Sequence, residues 1–168
     1  LEEVYNLEDA LLVGGFVNTL LRNAERVRLG CIAQLVNVIA PLVTNDTGVL
    51  RQSIYFPYAW ALRYARGRVL DLRVESDTYP IRGAGLQPDF ARNEQVPFVE
   101  VVATLDAPDD QACVLMLNRD LDADRELVLE RRDVTPMRVL VCETLTGTDL
   151  KAFNTFEQPR RVAPQRLD

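Results

Sequence analysis

The chain has no histidine, only three cysteines and no apolar run long enough to cross a bilayer, and each shortage excludes something. Cys31, Cys113 and Cys142 are widely separated, and with no imidazole to join them they cannot form the clustered ligand set of a structural zinc site. Their odd number and apolar neighbours predict buried thiols in a reducing compartment, so the cytoplasm is the expected location. A membrane span needs roughly 18 or more consecutive apolar residues, and the opening residues lack the pattern of a signal peptide, so no membrane partner is expected. A basic stripe is missing as well. The net charge is −6, the pI is near 4.8 and the arginines are scattered, which argues against a nucleic-acid surface. No repeat and no low-complexity tract is present, and the chain starts at Leu1 rather than Met, as a fragment or a processed chain would. What remains is a 168-residue chain, 48% hydrophobic with a mean hydropathy of −0.06. That is enough for one folded domain, or a domain plus a piece of another.

The most apolar stretch is Val27 to Pro41, V-R-L-G-C-I-A-Q-L-V-N-V-I-A-P, with two amides in it, Gln34 and Asn37. A run of this kind predicts a strand buried on both faces, as in an all-parallel sheet. A buried amide left without a partner costs roughly 1–3 kcal/mol. Gln34 therefore either faces a ligand pocket or bonds neighbouring backbone, and residue chemistry taken by itself favours the backbone.

On either side of that run the pattern is helical. Asn6 is a good N-cap, Glu8 and Asp9 suit the positive end of a helix, and Leu7, Ala10, Leu11, Gly14, Val17 and Leu21 recur at helical spacing. The adjacent carboxylates Glu2-Glu3 and Glu8-Asp9 point in different directions and suit capping and solvation rather than catalysis. Gly14-Gly15 costs helix propensity, about 1 kcal/mol each, unless another backbone packs closely there. Thr44 to Gly48 is a loop by composition. A second helix is predicted over Tyr55 to Ala65, with Pro57 in its first turn, Tyr58, Ala61, Leu62 and Ala65 as its stripe, and Gly67 at its end. Trp60 and Tyr64 on this helix suit packing better than a sugar platform.

Beyond Gly67 the period changes to two. Leu70, Leu72 and Val74 predict a half-buried strand, and residues 76 to 97 predict irregular chain. Four more strands are expected. One has Val99, Val101, Ala103 and Leu105 on one face, one is a central strand at Cys113 to Leu117, one contains Leu127 and Leu129, and one runs from Met137 to Cys142. Asp109-Asp110, Asn118 to Asp124 and Thr146-Gly147 supply turns. Short, evenly spaced strands of this kind predict an antiparallel β-sandwich, with at least one strand supplied from elsewhere.

One parallel strand cannot form a sheet alone. Leaving Leu29, Ile32, Leu35, Val36, Val38 and Ile39 wet forfeits on the order of 10 kcal/mol, against a domain stability of only about 5–15 kcal/mol. The first third is therefore expected to be completed by other sequence.

Y-N-L-E-D-A-L-L-V-G-G-F-V-N-T-L-L-R-N-A-E-R-V (Tyr5 to Val27) and C-I-A-Q-L-V-N-V-I-A-P (Cys31 to Pro41) closely resemble the C-terminal part of glycoside hydrolase family 51, the α-L-arabinofuranosidases. L-R-Q-S-I-Y-F-P-Y (Leu50 to Tyr58), L-N-R-D (Leu117 to Asp120) and D-L-K-A-F-N-T-F (Asp149 to Phe156) match in the same order, and the loop 82 to 97 matches least. The resemblance implies a fold of class α/β plus all-β. Residues 1–67 would be the last helix–strand–helix part of a (β/α)8 barrel, and residues 68–168 an antiparallel β-sandwich of jelly-roll type.

The resemblance also implies function. It places Gln34 at the position whose amide hydrogen-bonds the arabinofuranose, which tips the choice for that residue to the pocket, and leaves Asn37 to order the following loop. L-N-R-D and the N-T-F tail would serve the sandwich through Asx turns and strand pairing. The parent enzyme would be a retaining, exo-acting α-L-arabinofuranosidase acting on arabinan, arabinoxylan or arabino-oligosaccharides. Its two catalytic glutamates would lie upstream of Tyr5, so no catalytic residue is expected within this chain. No metal or organic cofactor is implied. The implied partners are arabinofuranosyl saccharides, the N-terminal part of the same protein, and further copies in a homo-oligomer. The alternative is a non-catalytic carbohydrate-binding or interaction module built on the sandwich. Tyr79, Phe90, Phe98, Phe153 and Phe156 are too scattered to form an exposed aromatic row, which counts against it.

Overall fold

A computed structural model describes residues 3–81, 95–107, 110–130 and 137–167. The part of the predicted irregular stretch over 82–94, Asp109 of the predicted turn and Phe90 lie outside the described residues.

The first helix forms where local signals place it. Helix α1, Leu7–Arg22, opens with a reciprocal capping box. The Asn6 side chain accepts from the Asp9 N–H (3.1 Å), and the Asp9 carboxylate accepts from the Asn6 N–H (2.8 Å). Leu7, Ala10, Val17 and Asn18 are its buried residues, whereas Leu12 and Phe16 stay more than half exposed. No other backbone among the described residues packs closely on Gly14-Gly15. A Cβ at Gly14 would meet the Pro57 side chain at 3.8 Å, and one at Gly15 the Leu117 side chain at 3.5 Å.

The apolar run that follows is not a strand. Residues 27–35 pair with nothing regular, and the segment touches a ladder only through an isolated parallel bridge between Val36 and Leu42. The reason is physical. A doubly buried strand needs neighbours on both edges, and no described strand lies beside it, so Leu29 is 81% and Leu35 70% exposed, with Val36, Val38 and Ile39 also exposed. Nor is Cys31 buried as expected; it is exposed, and Cys113 and Cys142 are half-buried.

The predicted loop at Thr44 to Gly48 is the tip of a hairpin. Strand β1 (Leu42–Asn45) pairs antiparallel with β2 (Gly48–Arg51), and Asn45 Oδ1 accepts from the backbone N–H groups of Thr47 (2.8 Å) and Gly48 (3.0 Å). Helix α2, Tyr55–Tyr64, follows with Pro57 in its first turn, and it packs on α1. Its buried side chains are Phe56 and Pro57, while Leu62 of the predicted stripe is 65% exposed. Gly67 has φ of +79°, and a Cβ there would fall 2.0 Å from the Leu105 carbonyl oxygen, so the chain can enter the sheet at that point only as glycine.

Strand β3 (Arg68–Val69) is shorter than the alternation over Leu70 to Val74 implies, although the Leu70 N–H still donates to the Ala103 carbonyl at 2.9 Å. Leu72 and Val74 are exposed. Two short strands, β4 (Thr78–Pro80) and β5 (Gln95–Pro97), pair within the stretch predicted to be irregular. The sheet proper has the order β3, β6, β7, where β6 is Val99–Asp106 and β7 is Gln111–Asn118. Hence β6, buried on both faces from Glu100 to Thr104, is central, and the Cys113 to Leu117 strand expected in that role is an edge among the described residues. No strand forms around Leu127 and Leu129 or over Met137 to Cys142, where the apolar side chains are largely exposed. Instead a two-residue strand β8 (Glu143–Thr144) pairs with β9 (Gln165–Arg166) near the end of the chain. All named strand pairs are antiparallel. Among the described residues no helix is long and apolar enough to cross a membrane.

The tail closes over the start of α1. Leu7, 2% exposed, packs with Ala152 and Val162, and Leu145 and Leu150 surround them. The Leu7 and Glu8 N–H groups donate to the carbonyls of Ala152 (2.9 Å) and Leu150 (3.0 Å).

Candidate functional site

Gln34 lies in a turn whose backbone is unusual. Its φ is 56°, and those of Asn37 and Val38 are 63° and 59°. Left-handed φ is uncommon outside glycine and a true outlier for a β-branched residue such as Val38. The Gln34 side chain is exposed and hydrogen-bonds no described residue. Asn37 is engaged. Its Oδ1 accepts from the Thr44 N–H (2.7 Å) and its Nδ2 donates to Thr44 Oγ1 (3.1 Å), while its own N–H donates to the Leu42 carbonyl (2.7 Å). That is the loop-ordering geometry expected of it.

A third amide, which sequence reasoning passed over, holds the chain just beyond that turn. Gln52 is 3% exposed and donates from Nε2 to the carbonyls of Ala40 (2.9 Å) and Glu3 (3.1 Å). Its Oε1 accepts from the Tyr5 N–H (3.0 Å). Next to it the fully buried Ser53 donates its hydroxyl to the Asn6 carbonyl at 2.5 Å.

Several other residues weighed from sequence are occupied within the fold. Trp60 Nε1 donates to the Glu143 carboxylate at 2.7 Å, tying α2 to β8. Asn118 Oδ1 accepts from the Asp120 N–H (2.9 Å), the Asx turn expected of L-N-R-D. Arg119 pairs with the buried Glu100 carboxylate, which Arg22 reaches from the other side at 3.1 Å, and burial pulls the Arg119 guanidinium below its ordinary pKa. In the tail, Asn154 donates to the carbonyls of Arg51 (2.9 Å) and Val162 (2.8 Å) and accepts from the Val162 N–H (2.7 Å). Tyr79 and Phe98 lie 4.9 Å apart, with Arg125 over Phe98, so these aromatic faces are spent on each other rather than offered to a glycan. A shallow cavity of about 200 Å³ lies elsewhere, lined by Leu7, Thr146, Thr148, Asp149, Arg161 and neighbours, with Asp149 and Arg161 paired at 3.1 Å.

The profile of the α-L-arabinofuranosidase C-terminal domain matches residues 1–168, the whole of the sequence. The chain belongs to this family. It is 36% identical over 170 residues to an intracellular exo-α-(1→5)-L-arabinofuranosidase of Acetivibrio thermocellus, covering 100% of this chain and 32% of that protein. It is 34% identical to an exo-α-(1→6)-L-arabinofuranosidase of Bifidobacterium longum, covering 96% of this chain and 30% of that protein. Among solved structures, a family 51 α-L-arabinofuranosidase from Bifidobacterium longum superposes on the whole chain with a TM-score of 0.86 at 31% identity, over 32% of its own length. The chain thus spans about a third or less of the length of the curated relatives it matches. Gln34, Asn37 and Gln52 all fall in blocks that carried the resemblance. Gln34 and Asn37 stand out as polar residues in an apolar run, whereas Gln52 sits between Arg51 and Ser53 and gives no such contrast.

Proposed function

We propose that this chain is the C-terminal portion of a retaining, exo-acting α-L-arabinofuranosidase that removes terminal α-L-arabinofuranosyl residues from arabinan, arabinoxylan or arabino-oligosaccharides. Residues 1–67 would complete a (β/α)8 catalytic barrel and residues 68–168 would form the jelly-roll type sandwich. The observation that carries this reading is the exposed apolar run after α1, which bears an unengaged amide at Gln34 in a chain matching only a third of its relatives. Barrel enzymes collect their functional side chains at the C-terminal ends of strands, and Gln34 would present its amide to the sugar there once the neighbouring strands are in place.

The bond-breaking groups would be two glutamates on the other part of the protein, about 5–5.5 Å apart as a covalent glycosyl intermediate requires. Gln34 would add a hydrogen bond to a furanose hydroxyl. The relatives' names, which specify intracellular enzymes, support a cytoplasmic location, and the family resemblance supports a homo-oligomer.

Turnover of an aryl α-L-arabinofuranoside tests the reading. The 168-residue chain should hydrolyse nothing. In the complete protein Gln34→Ala should lower kcat/KM about tenfold, the value of roughly one hydrogen bond to substrate. Turnover by the 168-residue chain, or undiminished kcat/KM in the variant, would contradict the respective half of the assignment.

A further inference from the structure

The turn bearing Gln34 must be held in a conformation its residues resist. Left-handed φ at Gln34, Asn37 and Val38 costs about 1–3 kcal/mol per residue and persists only where surrounding groups over-determine it. Those groups converge just C-terminal to Gln34. The Gln52 side chain gathers Ala40 on one side and Glu3 and Tyr5 on the other, and its backbone N–H donates to the Pro41 carbonyl at 2.9 Å. The segment it gathers reaches further along the turn. The Glu3 N–H donates to the Val38 carbonyl (2.7 Å), and the Tyr5 hydroxyl donates to the Ile39 carbonyl (3.2 Å). Residues 38 to 41 are therefore bonded at every carbonyl, either by Gln52 or by the strap of residues 3–5 that Gln52 fixes. With both amide hydrogens donated to protein carbonyls, Gln52 has no donor left for a ligand.

We propose that Gln52, through the strap of residues 3–5, is a positioning residue for Gln34. It fixes the C-terminal anchor of the left-handed turn and thereby the direction in which the Gln34 amide meets the sugar. This rests on the assignment of Gln34 to the sugar site, and it goes beyond it in naming what holds that amide in place. A displacement of about 1 Å in a substrate-binding group can cost around 100-fold in rate, so a buried clamp can matter without touching substrate.

A double-mutant cycle in the complete protein separates positioning from simple stability. Kinetics on an aryl α-L-arabinofuranoside are measured for the wild type, Gln52→Met, Gln34→Ala and the pair, on protein shown folded by its thermal unfolding midpoint. Gln52→Met keeps the length of the side chain and removes its three hydrogen bonds. It should lower kcat/KM by up to about tenfold when Gln34 is present, the most that losing the Gln34 contact costs, and less than about twofold when residue 34 is alanine, because the cycle reports only coupled sites as non-additive. The same factor on both backgrounds, or wild-type kcat/KM in folded Gln52→Met, overturns the proposal. If Gln34→Ala by itself leaves kcat/KM unchanged, the sugar-site reading fails and takes this inference with it. Should Gln52→Met not fold, Tyr5→Phe, which removes only the strap's bond to the Ile39 carbonyl, enters the same cycle and is judged by the same two outcomes.

Discussion

Asp120 sits in the bend after β7, where one carboxylate oxygen accepts from the backbone N–H groups of Asp122 (3.0 Å) and Ala123 (3.2 Å) and the other from Arg125 Nε (2.7 Å). These donors, the Asp122 N–H foremost, hold its carboxyl below the ordinary value of 3.8, against a smaller opposing effect of desolvation. Because the folded value is the lower one, folding favours the ionised form. That stabilisation is fully present above the unfolded value and is lost as pH falls through the folded one. Asp120→Asn keeps an acceptor for the two N–H groups but cannot titrate. The gap between wild-type and variant urea midpoints should therefore narrow as pH is lowered from about 5 to about 2, and curves that stay parallel would show that the carboxylate contributes no acid-side slope. Visibility in the sequence varies residue by residue for a related reason. Asn6 caps chain three residues on, so its role can be inferred from neighbours alone, whereas the turn roles of Asn37 and Asn118, though they act within a few residues of themselves, come from the family resemblance. Gln52 acts on Glu3 and Ala40, 49 and 12 positions away, and no local pattern announces it.

At the scale of elements the same distinction separates the helices from the strands. Helix α1 is readable because a cap, a charge bias and a 3.6-residue stripe are all written between Asn6 and Arg22. The alternation at Val99 to Leu105 likewise gave β6, although its polar residues Glu100 and Thr104 turned out to be buried too, because α1 packs against the sheet. By contrast the run Val27 to Pro41 and the segments at Leu127 and Met137 carry apolar residues without ladders. A strand is defined by its partner, and hydrophobicity states only that cover is needed, not where it comes from. The glycine pair in α1 gives a test at this scale. A Cβ at Gly14 meets Pro57 at an ordinary contact distance of 3.8 Å, so helix propensity should decide the outcome. Gly14→Ala is expected to raise the stability of the chain by about 0.5–1 kcal/mol in urea unfolding. A loss instead would mean that α1 and α2 are packed more tightly than this spacing.

Taken as a whole, the molecule joins its helical third to its sheet at several independent points. Glu100, 8% exposed in the middle strand, is shared by Arg22 from the last turn of α1 and Arg119 from the end of β7. Trp60 reaches Glu143, Asn154 holds the Arg51 carbonyl, and Leu7 is enclosed by the tail. Contacts of this kind are expected to make the helical part and the sheet unfold together. Removing one partner of a buried ion pair is costly because the other charge is left uncompensated, about 3–5 kcal/mol for full burial. Arg22 is half exposed and Arg119 about a quarter, so solvent screening reduces that to about 2 kcal/mol for Glu100→Ala. Trp60 is the single tryptophan of the chain and reports directly on the join between α2 and β8. In the 168-residue chain its fluorescence and the far-ultraviolet helix signal should therefore lose intensity at one shared urea midpoint, and Glu100→Ala should move both by the same amount. If the variant instead splits the two signals into separate transitions, the ion cluster is the principal bond between two otherwise independent units, and the remaining contacts contribute little to holding them together.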